Sequence, residues 1–332
     1  MTISPNVYRS LLAGIGDKTE ITYVIGHRNP DSDSVGSAMA FAHLLKELGI
    51  RAEAAVCGSV NNETRFALET FGLPSPSTIN NIGGRRAALV DHSSYAQAAE
   101  GVEKAEITAV LDHHGMGDIA DGGLFWVRSA PVGATATLVF LTYSECGVEI
   151  PVDMARVMLM SILSDTRGMA RNVSAADRIA YDALRGIAQI PDPDELYRGM
   201  AIALASYGDM SDKEIFMSDY KEYEAGGKRF GVAVANAFGE EDVRHLAERM
   251  GILMDGVRTE RGVGMLFVIV NNKSCDESEN MMYMLACGSG AAELLEKLYQ
   301  NSNGSQFFIF KKNLSRKVEV VPAIIEMLEV VS

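Results

Sequence analysis

Positive charge is scarce in this sequence. Lys and Arg number 30 against 44 Asp and Glu, a formal net charge of −14. Such a chain is a poor general binder of nucleic acid, whose affinity comes mainly from Lys and Arg set on phosphates. A small anionic substrate stays open, because local cations or bound metal can supply charge that the chain as a whole lacks. Cysteine is also sparse. Cys57, Cys146, Cys275 and Cys287 are scattered, with no CxxC pair and no disulfide-like spacing. They read as reduced thiols packed in the core of a cytoplasmic protein. No run of about 18 apolar residues occurs, so no membrane span is expected. The opening MTISPNVYRSLLAGIGDKTE has too short an apolar stretch for a signal peptide. Internal repeats and low-complexity tracts are missing too.

What is present is a chain of 332 residues, 47% hydrophobic and 22% charged, long enough for two domains with a sizeable core. ITYVIG (21–26) reads as a buried strand, SVGSAMAFAHLLKELG as a helix closed by Gly49, AEAAVCG as a strand and NETRFALETFG as a helix. RAALVDHS and ITAVLDHHG are strands that run straight into Asp and His. The alternation predicts an α/β fold: a large domain over residues 1–205 with a doubly wound, mainly parallel sheet and helices on both faces. Residues 133–204 read as mostly helical. SYGDMSD is a polar break, after which KRFGVAVANAF, GMLFVIVNN, NMMYMLACG and QFFIFKK alternate with the helices EEDVRHLAERMG and AAELLEKLYQN. This predicts a smaller C-terminal α/β domain with a mixed sheet over residues 212–332.

Ligands of parallel sheets gather beyond the carboxyl ends of strands. There the sequence places His27, Asp31 and Asp33 in GHRNPDSD, Asp91 in VDHS, and Asp112, His113 and His114 in LDHHG; Asp165 follows in SILSDT. Singly, each has a bland reading: Asp31 and Asp165 as turn residues or helix caps, His92 as a surface side chain outside any metal set. Together, several carboxylates at neighbouring strand ends would repel one another unless cations sat between them. Carboxylate with imidazole suits Mn²⁺, Fe²⁺, Co²⁺ or Zn²⁺, and the lack of nearby thiolates argues against structural zinc. Two such metals can share a water and make it a hydroxide able to attack phosphorus. The residues alone therefore point to a two-metal phosphohydrolase. Local positive charge is offered by KKNLSRKVEVVP. There Ser315, Arg316 and Lys317 precede a strand-like VEVVP, and Pro322 opens a last helix. Arg and Lys make a sound phosphate clamp, although a solvated surface run is the commoner meaning of such a cluster. Lys221 in SDYKEY reads as an ordinary exposed lysine.

With Asp112-His113-His114 as its centre, the chain resembles the DHH phosphoesterases. GHRNPDSDSVGSA, LVDH, LDHHG, APVGATAT and SILSD, with SDYKEY and SRK, make it similar within them to the manganese-dependent family II inorganic pyrophosphatases, over residues 21 to 325. The resemblance implies hydrolysis of pyrophosphate to two orthophosphates by a metal-bridging hydroxide, in a cleft between two domains. It implies that His27, Asp31 and Asp91 bind one Mn²⁺ (or Co²⁺) and that Asp33, Asp91, His113 and Asp165 bind the other. Further Mg²⁺ or Mn²⁺ would arrive with the substrate. His114 would assist the leaving group, and Asp112 would orient ligands. Lys221, Ser315, Arg316 and Lys317 would hold phosphate. A cytoplasmic homodimer joined through the large domain is implied in the same way.

The chain departs from the family pattern at Val318, where the SRKK signature has its second lysine, and Arg167 or Arg171 is a candidate replacement. The rival expectation is a DHH phosphodiesterase or phosphatase acting on short oligonucleotides or nucleoside phosphates, for which CGSGAAELL is a faint echo of a glycine-rich motif. A metal- or phosphate-sensing protein without activity is the third.

Overall fold

The computed structural model describes residues 4–14, 19–119, 125–208, 210–274, 281–299 and 307–330. The chain divides into two compact units, Met1–Leu204 and Ala205–Ser332. In chain order the first contains α1 (Pro5–Ala13), β1 (Thr22–Arg28), α2 (Ser32–Glu47), β2 (Ala52–Cys57), α3 (Asn62–Phe71), β3 (Ser77–Thr78), β4 (Arg86–Val90), β5 (Glu106–Asp112), β6 (Trp126–Ser129), α4 (Thr135–Cys146), α5 (Val152–Asp165), α6 (Ala175–Ala188) and most of α7 (Pro193–Ala205). The six strands form one sheet in the order β3-β2-β1-β4-β5-β6, and every pairing is parallel. The order reverses between β1 and β4, which makes the carboxyl ends of these two strands the place where such a sheet opens a crevice.

Side chains alternate along the central strands. Val24, Val56, Ala88, Val90, Ala109 and Leu111 face a core shared with α2, α4, α5 and α6, whereas Ile25, Ala55, Ala87, Leu89 and Val110 face a second core. The helices expected on both faces cover the first of these. The second is covered by Ile79, Ile82, Ala98, Ala99, Val102 and Ile119, carried on irregular chain with a single 3₁₀ turn at Val102–Lys104. α2 runs between the sheet and α5 at close range. A Cβ on Gly26 would meet the Ser34 Cβ at 2.6 Å, and one on Gly36 would lie 2.1 Å from Ser161 Oγ and 2.5 Å from Val157 O. Glycine is what lets the first turn of α2 lie tight against β1.

The second unit adds α8 (Asp212–Ser218), β7 (Tyr220–Ala225), β8 (Lys228–Ala237), α9 (Glu240–Arg261), β9 (Met265–Asn272), β10 (Met282–Cys287), α10 (Ala291–Tyr299), β11 (Phe307–Phe310) and α11 (Val321–Val330). Its sheet runs β11-β10-β9-β8-β7 and is mixed: β8 and β9 are parallel and the other pairs antiparallel. Two readings of this region are corrected. The helix that begins at Glu240 does not stop at Gly251 but continues to Arg261. Gly251 is a contact residue, since a Cβ there would lie 3.1 Å from Leu285 Cδ2 on β10. VEVVP is not a strand. Ser315 O accepts from Glu319 N at 2.9 Å and Val320 N at 3.0 Å, and Ser315 Oγ accepts from Val318 N at 3.3 Å, so Arg316–Val320 winds as a wide turn into α11. Local capping by Ser315 overrides the strand preference of its β-branched residues. Among the described residues, no helix is long and apolar enough to cross a membrane.

Candidate metal centre

β1 ends in a sharp turn at Asn29, whose φ of 62° is left-handed, a conformation that Asn tolerates better than most residues. The turn leaves His27 at the strand end and delivers Asp31 as the N-cap of α2. Asp31 does two jobs. Its Oδ1 accepts from Ser34 N at 3.0 Å, and its Oδ2 lies 3.4 Å from His27 Nε2. Asp33, fully buried in the first turn of α2, accepts from Ser37 Oγ (2.9 Å), Thr135 N (2.6 Å) and Ala136 N (3.0 Å). The last two are unpaired donors of the first turn of α4, so one carboxylate joins two helix starts. Asp91 follows β4 in a left-handed conformation, φ 63°, and accepts from Ser34 Oγ (2.9 Å) and Thr135 Oγ1 (3.2 Å). β5 ends on Asp112 and hands over His113 and His114. Asp165 closes α5.

These residues converge. Ligand-type atoms lie within 4.8 Å of one another in three sets: His27, Asp31 and Asp91; Asp33, Asp91, His113 and Asp165; and Asp91, His113 and His114. Asp91 belongs to all three. His27 Nε2 lies 3.3 Å from Asp91 Oδ2, and His113 Nε2 lies 3.5 Å from Asp91 Oδ1 and 3.4 Å from Asp165 Oδ2. The protons are placed by the opposite ring nitrogens. His113 Nδ1 is 3.0 Å from Val132 O and His27 Nδ1 is 2.9 Å from Arg28 O. A carbonyl only accepts, so each Nδ1 donates, and in the neutral ring Nε2 presents a lone pair to the carboxylates. His113 Nε2 is buried with no hydrogen-bond partner. An orphaned lone pair facing two carboxylate oxygens is an arrangement that a cation between them satisfies. Atoms bound at about 2.1 Å to one ion stand roughly 3.0–3.4 Å apart, close to the spacings here. The donor set of carboxylates and imidazoles fits Mn²⁺.

The electrostatics agree. Burial, then the Asp91 carboxylate, pushes Asp33 up to about 8. Burial, then Asp33, Asp91, Asp31 and Glu63, pushes Asp165 up to about 10. Burial also raises Asp91. Burial by itself would lower His27, but its contacts with Asp31 and Asp91 prevail and carry it up to about 11. Burial would raise Asp31, but His27 holds it below the usual carboxylate range. Without metal the cluster therefore retains protons that ordinary carboxyls release.

His114 is half-exposed. Its Nδ1 and its backbone N each lie 3.0 Å from Asp112 Oδ1, and the other oxygen of Asp112 accepts from Ser93 Oγ at 2.7 Å. Asp112 therefore orients His114 and sits in none of the three ligand sets. His92 is corrected from a surface residue to a buried one, 1% exposed, with Nδ1 donating to Val90 O at 2.9 Å; burial pushes it down to about 4. Ser315, Lys221 and Lys317 are exposed on the second unit. Arg316, in the turn before α11, lies with Nη1 2.7 Å from Asp219 O and Nη2 2.7 Å from Asp219 Oδ1. Val318 is 73% exposed.

Sequence reasoning passed over the supports. Ser34, Ser37 and Thr135 hydrogen-bond the carboxylates. Buried Asp177 accepts from Gly133 N (2.7 Å), Ser174 N (2.7 Å) and Thr137 Oγ1 (2.6 Å), holding the loop that carries Val132. Glu63, 5% exposed and pushed up to about 7 by burial, accepts from Ser164 Oγ at 3.0 Å. The S-x-x-D capping box at Ser174 and the clustered Thr residues of APVGATAT were the available signals.

Comparison with known proteins bears on the same residues. The DHH family, N-terminal domain, matches residues 21–162, and the DHHA2 domain matches residues 198–327. A relative from Archaeoglobus fulgidus, named as a probable manganese-dependent inorganic pyrophosphatase, is 32% identical over 315 residues, 91% of this chain and 96% of its own. A manganese-dependent inorganic pyrophosphatase of Methanothrix thermoacetophila is 31% identical over 303 residues, 90% of this chain and 96% of its own. The crystal structure of a Methanococcus jannaschii protein assigned to the family II inorganic pyrophosphatases matches with a TM-score of 0.58 at 26% identity, over 92% of this chain and 99% of that one. The chain belongs to the manganese-dependent, family II inorganic pyrophosphatases, a DHH domain followed by a DHHA2 domain.

Proposed function

We propose that this protein hydrolyses inorganic pyrophosphate to two orthophosphates in the cytoplasm, with the first unit holding metal and the second holding substrate. The observation that carries the reading is the convergence of the unpartnered His113 Nε2 with Asp91 and Asp165, an arrangement that a divalent cation satisfies. Family membership supports the substrate. His27, Asp31 and Asp91 would hold one Mn²⁺ (or Co²⁺), and Asp33, Asp91, His113 and Asp165 the other. When bound, these ions supply Lewis acidity toward phosphoryl oxygens and lower the pKa of water; Mg²⁺ or Mn²⁺ would accompany the substrate.

The side chains divide the remaining work. Asp112 accepts from His114 Nδ1, so His114 turns Nε2 toward the departing phosphate, and the doubly protonated ring gives it a hydrogen bond or proton there. An oxygen–phosphorus bond forms from water as the bridging P–O bond breaks. Lys221, Arg316 and Lys317 offset charge on the phosphoryl oxygens, Arg316 as a planar fork and the lysines as point charges, with Ser315 as a hydroxyl donor. A homodimer formed through the first unit belongs to the same proposal, by family membership alone, and sedimentation checks it.

The test is phosphate release by the purified protein. Pyrophosphate with Mn²⁺ or Co²⁺ is expected to be hydrolysed quickly, chelator to stop it, and a dinucleotide to be a poor substrate. Asp91→Asn is expected to abolish the metal-dependent rate. Near-normal activity in that variant would refute the shared-ligand assignment, and preference for the dinucleotide would refute the substrate.

A further inference from the structure

We propose that Glu63 is a positioning residue of the metal centre, stapling together the two helix ends that carry Asp31, Asp33 and Asp165. Glu63 lies in the first turn of α3, a turn capped by Asn61, whose Oδ1 accepts from Thr64 N at 2.8 Å. Its side chain is buried among hydroxyls. Glu63 Oε2 accepts from Ser164 Oγ at 3.0 Å, and the Ser32 hydroxyl lies near enough to favour the charged form of its carboxylate. Ser32 in turn lies 3.0 Å from Thr64 Oγ1. Each hydroxyl sits beside ligand positions in the chain: Ser32 between Asp31 and Asp33 at the start of α2, Ser164 next to Asp165 at the end of α5. One carboxylate thus spans the two segments whose separation sets the distance between the Asp31–Asp33 pair and Asp165.

A second tie runs in parallel, since Ser161 Oγ donates to Ser32 O at 3.0 Å. Joining α3 to α5 does not require a carboxylate; an apolar side chain would pack there without the cost of burying a polar group. What an apolar side chain would not provide is a fixed acceptor for Ser164 that also faces the Ser32 hydroxyl. Side chains that hold metal ligands from behind commonly change metal affinity about 10–100-fold when removed.

This inference rests on the metal-centre reading above, and its test measures Mn²⁺ affinity directly by titration calorimetry on the full chain, with melting temperatures of the metal-free proteins alongside. Glu63→Ala is expected to weaken Mn²⁺ binding about 10–100-fold. Glu63→Gln keeps an acceptor for Ser164 and is expected to recover most of the loss; Ser164→Ala is expected to weaken binding less than Glu63→Ala. The rise in melting temperature caused by Mn²⁺ should shrink in Glu63→Ala by more than the metal-free melting temperature falls. Wild-type affinity in Glu63→Ala overturns the staple. If Glu63→Ala does not fold, unchanged affinity in Ser164→Ala overturns it. A wild-type protein that binds no Mn²⁺ overturns the metal-centre reading and the staple with it.

Discussion

Val132 O stands 3.0 Å from His113 Nδ1, a contact that sets which nitrogen of the imidazole faces Asp91 and Asp165. The carbonyl is not anchored by its own strand or helix. It lies in the loop before α4, and that loop is tied down by Asp177, which takes the Gly133 N–H from a different helix, α6.

Asp177→Ala should therefore act twice. It strands the buried donors at Gly133 and Thr137 and the part-buried one at Ser174, which costs about 2–4 kcal/mol of stability, and it frees the loop that holds His113. Chemical denaturation checks the first effect and Mn²⁺ titration the second. Full stability with native Mn²⁺ affinity would show that the loop does not need the carboxylate.

The retained protons give a pH dependence with a definite sign. Asp33 at about 8, Asp165 at about 10 and His27 at about 11 hold protons in the metal-free folded chain where the unfolded chain has released them. Their contribution to stability is complete below the unfolded values, about 4 for the carboxyls and about 6.5 for the imidazole. It is lost as pH rises through the folded values. Metal-free protein is expected to melt lower at pH 9 than at pH 6. Mn²⁺ displaces these protons, so its affinity should tighten as pH rises and binding should release protons. Calorimetry in buffers of different ionisation enthalpy reads the release directly; a null result would contradict the proton-loaded cluster.

Asp219 holds the Arg316 guanidinium through both its carbonyl and its carboxylate. Arg316→Ala is expected to raise the KM for pyrophosphate about 10–100-fold, the worth of a charged hydrogen bond. Asp219→Ala, which removes the carboxylate but not the carbonyl, should raise it about two- to fivefold. Asp219→Asn should stay close to wild type. Steady-state kinetics decide, and an unchanged KM in Arg316→Ala would remove it from the phosphate clamp.

On the resemblance, Val318 takes the place of the second lysine of SRKK; its side chain is 73% exposed, so Val318→Lys has room to fold normally. It is expected to lower the KM for pyrophosphate about three- to tenfold. Arg167 and Arg171 are both exposed in the segment after α5, and Arg167 has a left-handed φ of 51°. If either replaces the missing lysine, its alanine variant will raise the KM; unchanged values in both variants would discard the idea.

Much of this was legible in the chain. Strand ends that run into Asp and His at residues 27, 91 and 112 placed the candidate ligands, because a parallel sheet of alternating units brings the carboxyl ends of its strands to one edge. The second layer was less legible. The segment between β4 and β5 covers the sheet with isolated apolar residues and has no helical period to read, and Gly251 looked like a stop until its contact with Leu285 was seen. The wide turn at Arg316 was hidden by a β-branched run whose conformation is set by Ser315 and the helix that follows.

The sequence by itself determined which residue types occur at which strand ends, and hence the ligand chemistry and the family. Only the tertiary structure decided that Asp33 would be held by the first turn of α4, that the Val132 carbonyl would orient His113, and that Glu63 would sit behind Asp165. Those pairings join residues about 20 to 100 positions apart. They depend on how helices cross over a sheet, a matter of packing at glycines and buried hydroxyls that no local pattern in the chain records.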